Sequence, residues 1–438
     1  MEIDHTTLSD LSILNADEAF SVFNKLNFCI TSGGRRRLYT SFSTPLKNIE
    51  AIQGVQQTLQ TIIQKETLWP QQISNGSLLM IEKFYGATID EIPKQPSATG
   101  VLVYKILHGP DYSFVKYSTE HAFDFIKGMQ QMVTVFFAED APAPLKKLLG
   151  SVNSILNKKQ FDVIRQYNKS TAMPMAKQLA LGHFIRYRYK QNILDLLDLY
   201  YQLDAWYGMA MAVKQYQLIF PSFTKERKPL LKVKGLYHIL LPQPTAYDIE
   251  LQPEKNFLFL TGANMAGKST FIKSVGSAVF LAHIGMGVPA VSMELSVFDG
   301  LLSNINVMDN IIKGESYFYN EVQRIKSTVQ KIADGRNWLI LIDELFKGTN
   351  VQDAMKCSTV VIEGFLKIKH TAFILSTHLY EIGEPLRQYP NIIFNYFETF
   401  VDNDQLVFNY QLKEGISDDR LGYLILKNEG VVKMLQNL

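Results

Sequence analysis

The segment Gly262-Ala263-Asn264-Met265-Ala266-Gly267-Lys268-Ser269 constrains this chain more than any other stretch. It fits G-x4-GK-[ST], follows the short apolar run Phe257–Leu260, and precedes a run with helical spacing that starts near Thr270. A strand turning through glycines into a helix lets backbone N–H groups curl around a phosphate. Lys268 is then placed to bridge β- and γ-oxygens, and the Ser269 hydroxyl to ligate Mg²⁺. The pattern predicts a nucleotide site built on a buried parallel sheet.

Such a site needs a carboxylate at a strand end to hold the metal and usually a second to orient water. Trp338–Ile342 is another apolar run, and Asp343-Glu344 follows it directly. Side chains alternate along a strand, so the two acids point in different directions, as two separate jobs require. Asp343 is expected to serve the metal and Glu344 to act as general base. Thr371–Leu375 repeats the apolar run and leads to His378, expected to sense the γ-phosphate or its attacking water.

The two halves of the chain read differently. Up to about Phe220 the apolar residues recur at three- and four-residue steps, as in Val55–Thr67 and Gln191–Gln217, with breaks at Gly109-Pro110 and Ala141–Pro144. Beyond the polar, basic Pro221–Pro229, short apolar runs alternate with helical ones, and Ile392–Val401 with Leu406–Leu412 reads as an antiparallel hairpin. The expected organisation is a mainly α-helical domain over residues 1–228 and an α/β domain over 229–438.

With 44 Lys+Arg against 42 Asp+Glu the net charge is +2, which excludes a strongly cationic nucleic-acid coat but not a local basic patch. Cys29 and Cys357 cannot form a disulfide framework or a four-thiolate zinc site, and two such thiols fit a reducing compartment. The N-terminus MEIDHTTLSD lacks the basic-then-apolar pattern of a signal peptide. Val275–Met293 carries no Asp, Glu, Lys or Arg, but His283, Pro289 and three glycines interrupt it, so it reads as buried helix and loop rather than a bilayer span. A cytoplasmic protein without membrane contact is expected.

Taken together, these segments resemble the MutS family of DNA mismatch-repair ATPases, a branch of the ABC-type ATPases. The resemblance is carried by TGANMAGKSTFIKSVG (Thr261–Gly276), AHIGMGVPA (Ala282–Ala290), MDNIIKGESYFYNEV (Met308–Val322), LIDELFKGTNVQDA (Leu341–Ala354), STHLYEI (Ser376–Ile382) and the ending Tyr410–Val431. Leu26–Leu46 resembles the start of the family's helical core domain, and Leu203-Asp204 with Tyr216 and Pro221 its end. The resemblance implies a P-loop ATPase domain behind a helical core or lever, in a chain without the family's mismatch-reading and connector domains.

Carried over residue by residue, it makes Asn264, Lys268, Ser269 and Thr270, within the loop that also holds Met265, contacts to ATP or Mg²⁺. Asp343 becomes the Mg²⁺ acid, Glu344 the base and His378 the γ-phosphate switch. Ser316, in Gly314-Glu315-Ser316, would reach the γ-phosphate of a second subunit, so a homodimer with two composite sites is implied; a structural capping serine is the alternative. Three positions depart from the family: Phe346-Lys347 replaces a glycine-arginine pair, Tyr317 stands where threonine is usual, and the aromatic that stacks on adenine falls at Pro244, with Tyr247 or His238 as substitutes.

Arg35–Arg37, Lys158-Lys159, His183–Lys190 and Lys225–Lys234 are candidate DNA contacts, each with an ordinary solvated or packed face as its alternative. No compact base-reading module is present, so sequence-specific recognition is not expected. Two functions follow. One is a dimeric ATPase whose nucleotide state controls grip on branched or mismatched DNA. The other is a nucleotide-gated switch that binds a protein partner, such as a repair protein, with little direct DNA contact.

Overall fold

The computed structural model describes residues 1–15, 17–306, 317–402, 405–417 and 430–436. The chain divides into two compact units: one of Met1–Lys25, Thr44–Gln53 and Gln215–Leu438, the other of Leu26–Ser43 and Gly54–Lys214.

The first unit is built on a seven-stranded sheet. In chain order its strands are β1 (Glu2–Ile3), β5 (Phe257–Thr261), β7 (Gly300–Asn304), β8 (Trp338–Asp343), β9 (Thr371–Ser376), β10 (Ile392–Asp402) and β11 (Gln405–Glu414). The spatial order is β1-β7-β8-β9-β5-β10-β11, parallel except for the closing β10–β11 pair. Every residue of β5, β8 and β9 is buried, which is why these strands appear as unbroken apolar runs. Aromatic stacking between Phe257, Phe373 and Phe365 ties β5 and β9 to the helix Val351–Phe365. That helix is started by the Asn350 side chain, which accepts from the Asp353 N–H at 3.0 Å.

A second sheet in this unit has the order β2-β6-β3-β4, from β2 (Ser222–Thr224), β3 (Leu231–Leu236), β4 (Tyr247–Leu251) and β6 (Ser292–Ser296). The polar stretch read from the sequence as a boundary, Pro221–Pro229, therefore includes a strand, paired in parallel with β6. Sheet hydrogen bonding holds this segment despite its composition.

The chain's first 25 residues also belong to the sheet unit, whereas the sequence pattern groups them with the helices. Two observations explain the difference. β1 pairs in parallel with β7, and two residues are too few to show a period. Asp10, at the end of the helix His5–Asp10, is buried and accepts the Ser303 hydroxyl at 2.7 Å and the Ile305 N–H at 3.2 Å, with the Arg324 guanidinium 3.4 Å away. A buried carboxylate gripped by residues near the end of β7 has its partners some 290 positions away, where local pattern carries no trace of it.

The helical unit includes Ser32–Ser43, Asn75–Gly86, Ala98–Leu107, Gly109–Phe136, Ala143–Leu156, Met175–His183 and, over most of its length, Lys190–Gln215. The break expected at Gly109-Pro110 is where the long helix begins, with Pro110 in its first turn. Ser74 and Ser77 form a reciprocal capping box, and Ser97 accepts from the Gly100 N–H. Trp69 stacks on Tyr207 with ring centroids 4.5 Å apart and meets Phe136 edge-on at 5.8 Å, anchoring a core that also holds Phe125 against Tyr200. Asp204 is fully buried and accepts the N–H groups of Ile30 and Thr31, both at 2.8 Å, and the Thr31 hydroxyl at 2.6 Å. It thereby fixes the chain entering Ser32–Ser43. A methyl group at Gly34 would stand 2.0 Å from an Asp204 oxygen, so only glycine fits there. Among the described residues no helix is long and apolar enough to cross a membrane.

Candidate active site

β5 lies between β9 and β10, and its C-terminal end opens into the loop Gly262–Gly267 ahead of the helix Lys268–His283. Gly262 (φ 139°) and Gly267 (φ 105°) sit in backbone regions that other residues avoid. At Gly262 a Cβ would also press to 3.1 Å from the Phe397 carbonyl oxygen. Met265 takes φ 68° without being glycine and leaves its side chain 72% exposed at the loop's tip. Lys268 is buried, and its Nζ donates to the carbonyls of Gly262 at 2.7 Å and Ala263 at 2.9 Å, so the lysine closes the loop around itself. Burial lowers its pKa, while Glu344 and Asp343 pull it back up.

The neighbouring strand ends supply the acids. Asp343, the last residue of β8, is buried; one carboxylate oxygen accepts the Ser269 hydroxyl and the other the Ser376 hydroxyl from the end of β9. Ser269 and Asp343 thus form a pair of hard oxygen donors of the kind that suits Mg²⁺.

Glu344 follows β8, and takes φ 64° while its N–H donates to the Ser376 carbonyl at 3.0 Å. Its carboxylate lies 3.6 Å from His378 Nδ1 and 3.1 Å from Lys347 Nζ. His378 first, then Lys347, hold the Glu344 carboxyl down to about 2, against the opposing effect of burial. With Phe346 at φ 59°, the turn after β8 carries two left-handed residues that are not glycine. Each costs on the order of 1–3 kcal/mol and persists only where surrounding contacts fix it.

The loop and Glu344 border a cleft of about 400 Å³ whose lining does not include Asp343, Lys347 or His378. Asn264, Met265, Gly267, Lys268, Ser269, Thr270 and Glu344 line it. Leu241, Gln243, Thr245 and Tyr410 line it as well and were not foreseen. Tyr410 stands on β11 at φ 57°, its ring close to Gly267, and no local sequence signal marks it. Of the two adenine-stacking substitutes, Tyr247 lines the cleft but is buried edge-on against Phe271 and Phe397. His238 is buried away from the lining, where desolvation first and Lys273 second lower its pKa to about 4. Ser316 lies outside the described residues.

Several residues of the basic segments are engaged within their own units, while Lys158, Lys159, Lys225, Arg227, Lys228 and Lys234 are exposed. Lys232 lies 3.2 Å from Glu250 and opposite Glu294 in the sheet register. Arg37 pairs with Asp198, and the Arg36 guanidinium lies 5.8 Å from the Tyr201 ring centre. In His183–Lys190, residues Phe184–Arg188 form a π-helical turn; His183, Ile185 and Tyr189 are buried and Arg186 donates to the Ala87 carbonyl at 2.6 Å. Tyr187, Arg188 and Lys190 remain exposed.

A mixed α/β unit in which a glycine-rich loop, two strand-end acids and a histidine meet beside one cleft defines a class, and similarity to known proteins narrows it. Residues 258–435 match the family model of MutS domain V. The chain is 27% identical over 246 residues to the DNA mismatch repair protein MutS of Petrotoga mobilis, covering 56% of this chain and 30% of that protein. It is 30% identical over 236 residues to the MutS of Pseudothermotoga lettingae (52% and 28%) and 28% identical over 240 residues to that of Lactococcus lactis subsp. cremoris (53% and 28%). The matched stretch spans less than a third of each relative.

Proposed function

We propose that this chain is a Mg²⁺-dependent P-loop ATPase of the MutS type whose nucleotide state controls grip on DNA. The observation that carries the reading is the meeting of Lys268, Ser269, Asp343, Glu344 and His378 at the carboxyl ends of three adjacent parallel strands, where open α/β sheets take their ligands. The match of residues 258–435 to the family model of MutS domain V supports it.

In this reading the Lys268 ammonium leaves the loop carbonyls for the β- and γ-phosphate oxygens of ATP, and the loop N–H groups take the remaining charge. Ser269 and Asp343 would hold the metal, which would neutralise developing phosphate charge. Glu344 orients and deprotonates the attacking water, and His378 reports on the γ-phosphate. Because Lys347 and His378 hold the Glu344 carboxyl so low, Glu344 becomes an effective base only once nucleotide draws these partners away from it. Tyr410 and Leu241 border the cleft where the base would lie. Ser316 of a second copy would complete each site, making the active form a homodimer.

The test is fluorescence anisotropy of Glu344→Gln protein with ATP, using matched duplex, single-mismatch duplex, four-way junction and single strand at two salt concentrations. Salt-sensitive, ATP-dependent binding with a preferred structure is expected. Absence of binding to every probe, from protein shown to hold ATP, supports the second reading, a nucleotide-gated switch for a protein partner. The intramolecular engagement of Arg36, Arg37, Arg186 and Lys232 is the observation that favours that second reading.

A further inference from the structure

Glu321 lies one turn into the helix Tyr317–Ile332 and is buried. Its two carboxylate oxygens accept consecutive backbone N–H groups of the turn after β8: Lys347 at 3.1 Å and Gly348 at 3.2 Å. This turn carries the left-handed Glu344 and Phe346, and its Lys347 side chain is paired with Glu344. Helix and turn approach so closely that a Cβ on Gly348 would stand 2.7 Å from the Phe318 nitrogen, and the Phe318 and Phe346 rings lie 5.7 Å apart. A carboxylate taken out of water is costly unless fully hydrogen-bonded, so burying one here needs a role that a neutral side chain could not fill.

We infer that Glu321 is a positioning residue for ATP hydrolysis: by gripping the N–H groups of Lys347 and Gly348 it holds the strained turn in the one shape that presents Glu344 to the cleft. This rests on the ATPase reading above. Glutamine has a single acceptor oxygen, and its amide group would face the second N–H, so Glu321→Gln loosens the grip at nearly constant volume. Aspartate keeps the charge but withdraws it by one methylene. Neither change touches the loop Gly262–Gly267 or Lys268, which bind nucleotide in that reading.

The experiment measures steady-state ATP hydrolysis, equilibrium binding of a fluorescent ATP analogue and thermal melting for wild type, Glu321→Gln, Glu321→Asp, Glu344→Gln and the double variant Glu321→Gln/Glu344→Gln. Both Glu321 variants are expected to lower kcat about 10-fold or more, with KM and analogue affinity within twofold of wild type. The double variant is expected to be no slower than Glu344→Gln alone, because Glu321 acts only through Glu344. The inference is overturned by wild-type kcat in both variants, by parallel loss of affinity and turnover, by a further loss in the double variant, or by failure of both variants to fold. A wild-type protein that binds the analogue without hydrolysing ATP would instead refute the ATPase reading itself.

Discussion

Asp204 in the helical unit and Asp343 in the sheet unit are both buried carboxylates, and each accepts hydrogen bonds at both oxygens. Their partners separate them. Asp204 is held by two fixed backbone N–H groups and a hydroxyl that itself accepts from the Gly34 N–H, in a space too tight for one methyl group. Asp343 is held by two serine hydroxyls, groups that can rotate away and hand their oxygens to a cation. Burial raises the pKa of Asp204, opposed by the groups that hydrogen-bond it. A buried carboxylate marks a reactive site only when its partners can let go.

The largest expected effects test the open side of this comparison. Lys268→Ala removes the ammonium that closes the loop, and ATP affinity should fall on the order of 100-fold, about 2.7 kcal/mol, in a fluorescent-analogue titration. Undiminished binding would mean that the loop is a structural turn, closed in the same sense as Asp204. Glu344→Gln should keep that binding and lower turnover on the order of 10²–10⁴-fold, the usual range for loss of a general base. Rapid hydrolysis by this variant would remove Glu344 from the chemistry.

The aspartates themselves come next. Asp204→Asn turns an amide group toward N–H donors and should cost about 2–4 kcal/mol in denaturant unfolding, with nucleotide affinity of the folded protein unchanged. Asp343→Asn should leave stability within about 1 kcal/mol, because rotating hydroxyls can re-pair, while Mg²⁺-dependent turnover is lost. Equal destabilisation by the two changes would erase the distinction.

The same distinction explains what could be read from sequence. Gly262–Ser269, Asp343, Glu344 and His378 were legible because each follows a buried strand whose uninterrupted apolar run announces it. β5, β8 and β9 were legible for that reason too, and the closing hairpin because the polar Asp402-Asn403-Asp404 separates its two runs. β1, β2, β3, β4 and β6 were not: they are two to six residues long, and in β3 and β4 buried and exposed positions alternate over a span too short to separate from loop. Tyr410 escaped notice because its place beside Gly267 depends on a left-handed residue in β11, and Glu321 because its grip on Lys347 and Gly348 joins two elements at long range. The role of Asp204 as an anchor emerged only from its partners.

His283 carries the comparison to its smallest test, since it is a closed group inside the unit that holds the open site. It ends the helix Lys268–His283, fully buried, with Nε2 accepting the Phe298 N–H at 3.0 Å. That acceptor role assigns the ring proton to Nδ1, which donates to the Val279 carbonyl at 2.7 Å. Burial lowers its pKa from 6.5 to about 4, so the folded protein binds this proton less readily than the unfolded chain. Its contribution to stability is therefore complete above pH 6.5 and is lost as pH falls from 6.5 toward 4, amounting to about 3 kcal/mol over the whole interval. Chemical denaturation at pH 7, 5.5 and 4.5 reads the loss directly. In His283→Gln, whose amide can accept from Phe298 but cannot gain a proton, this component of the acid sensitivity should disappear. An unchanged pH profile in that variant would show that the ring is not the group whose protonation opens this part of the sheet unit.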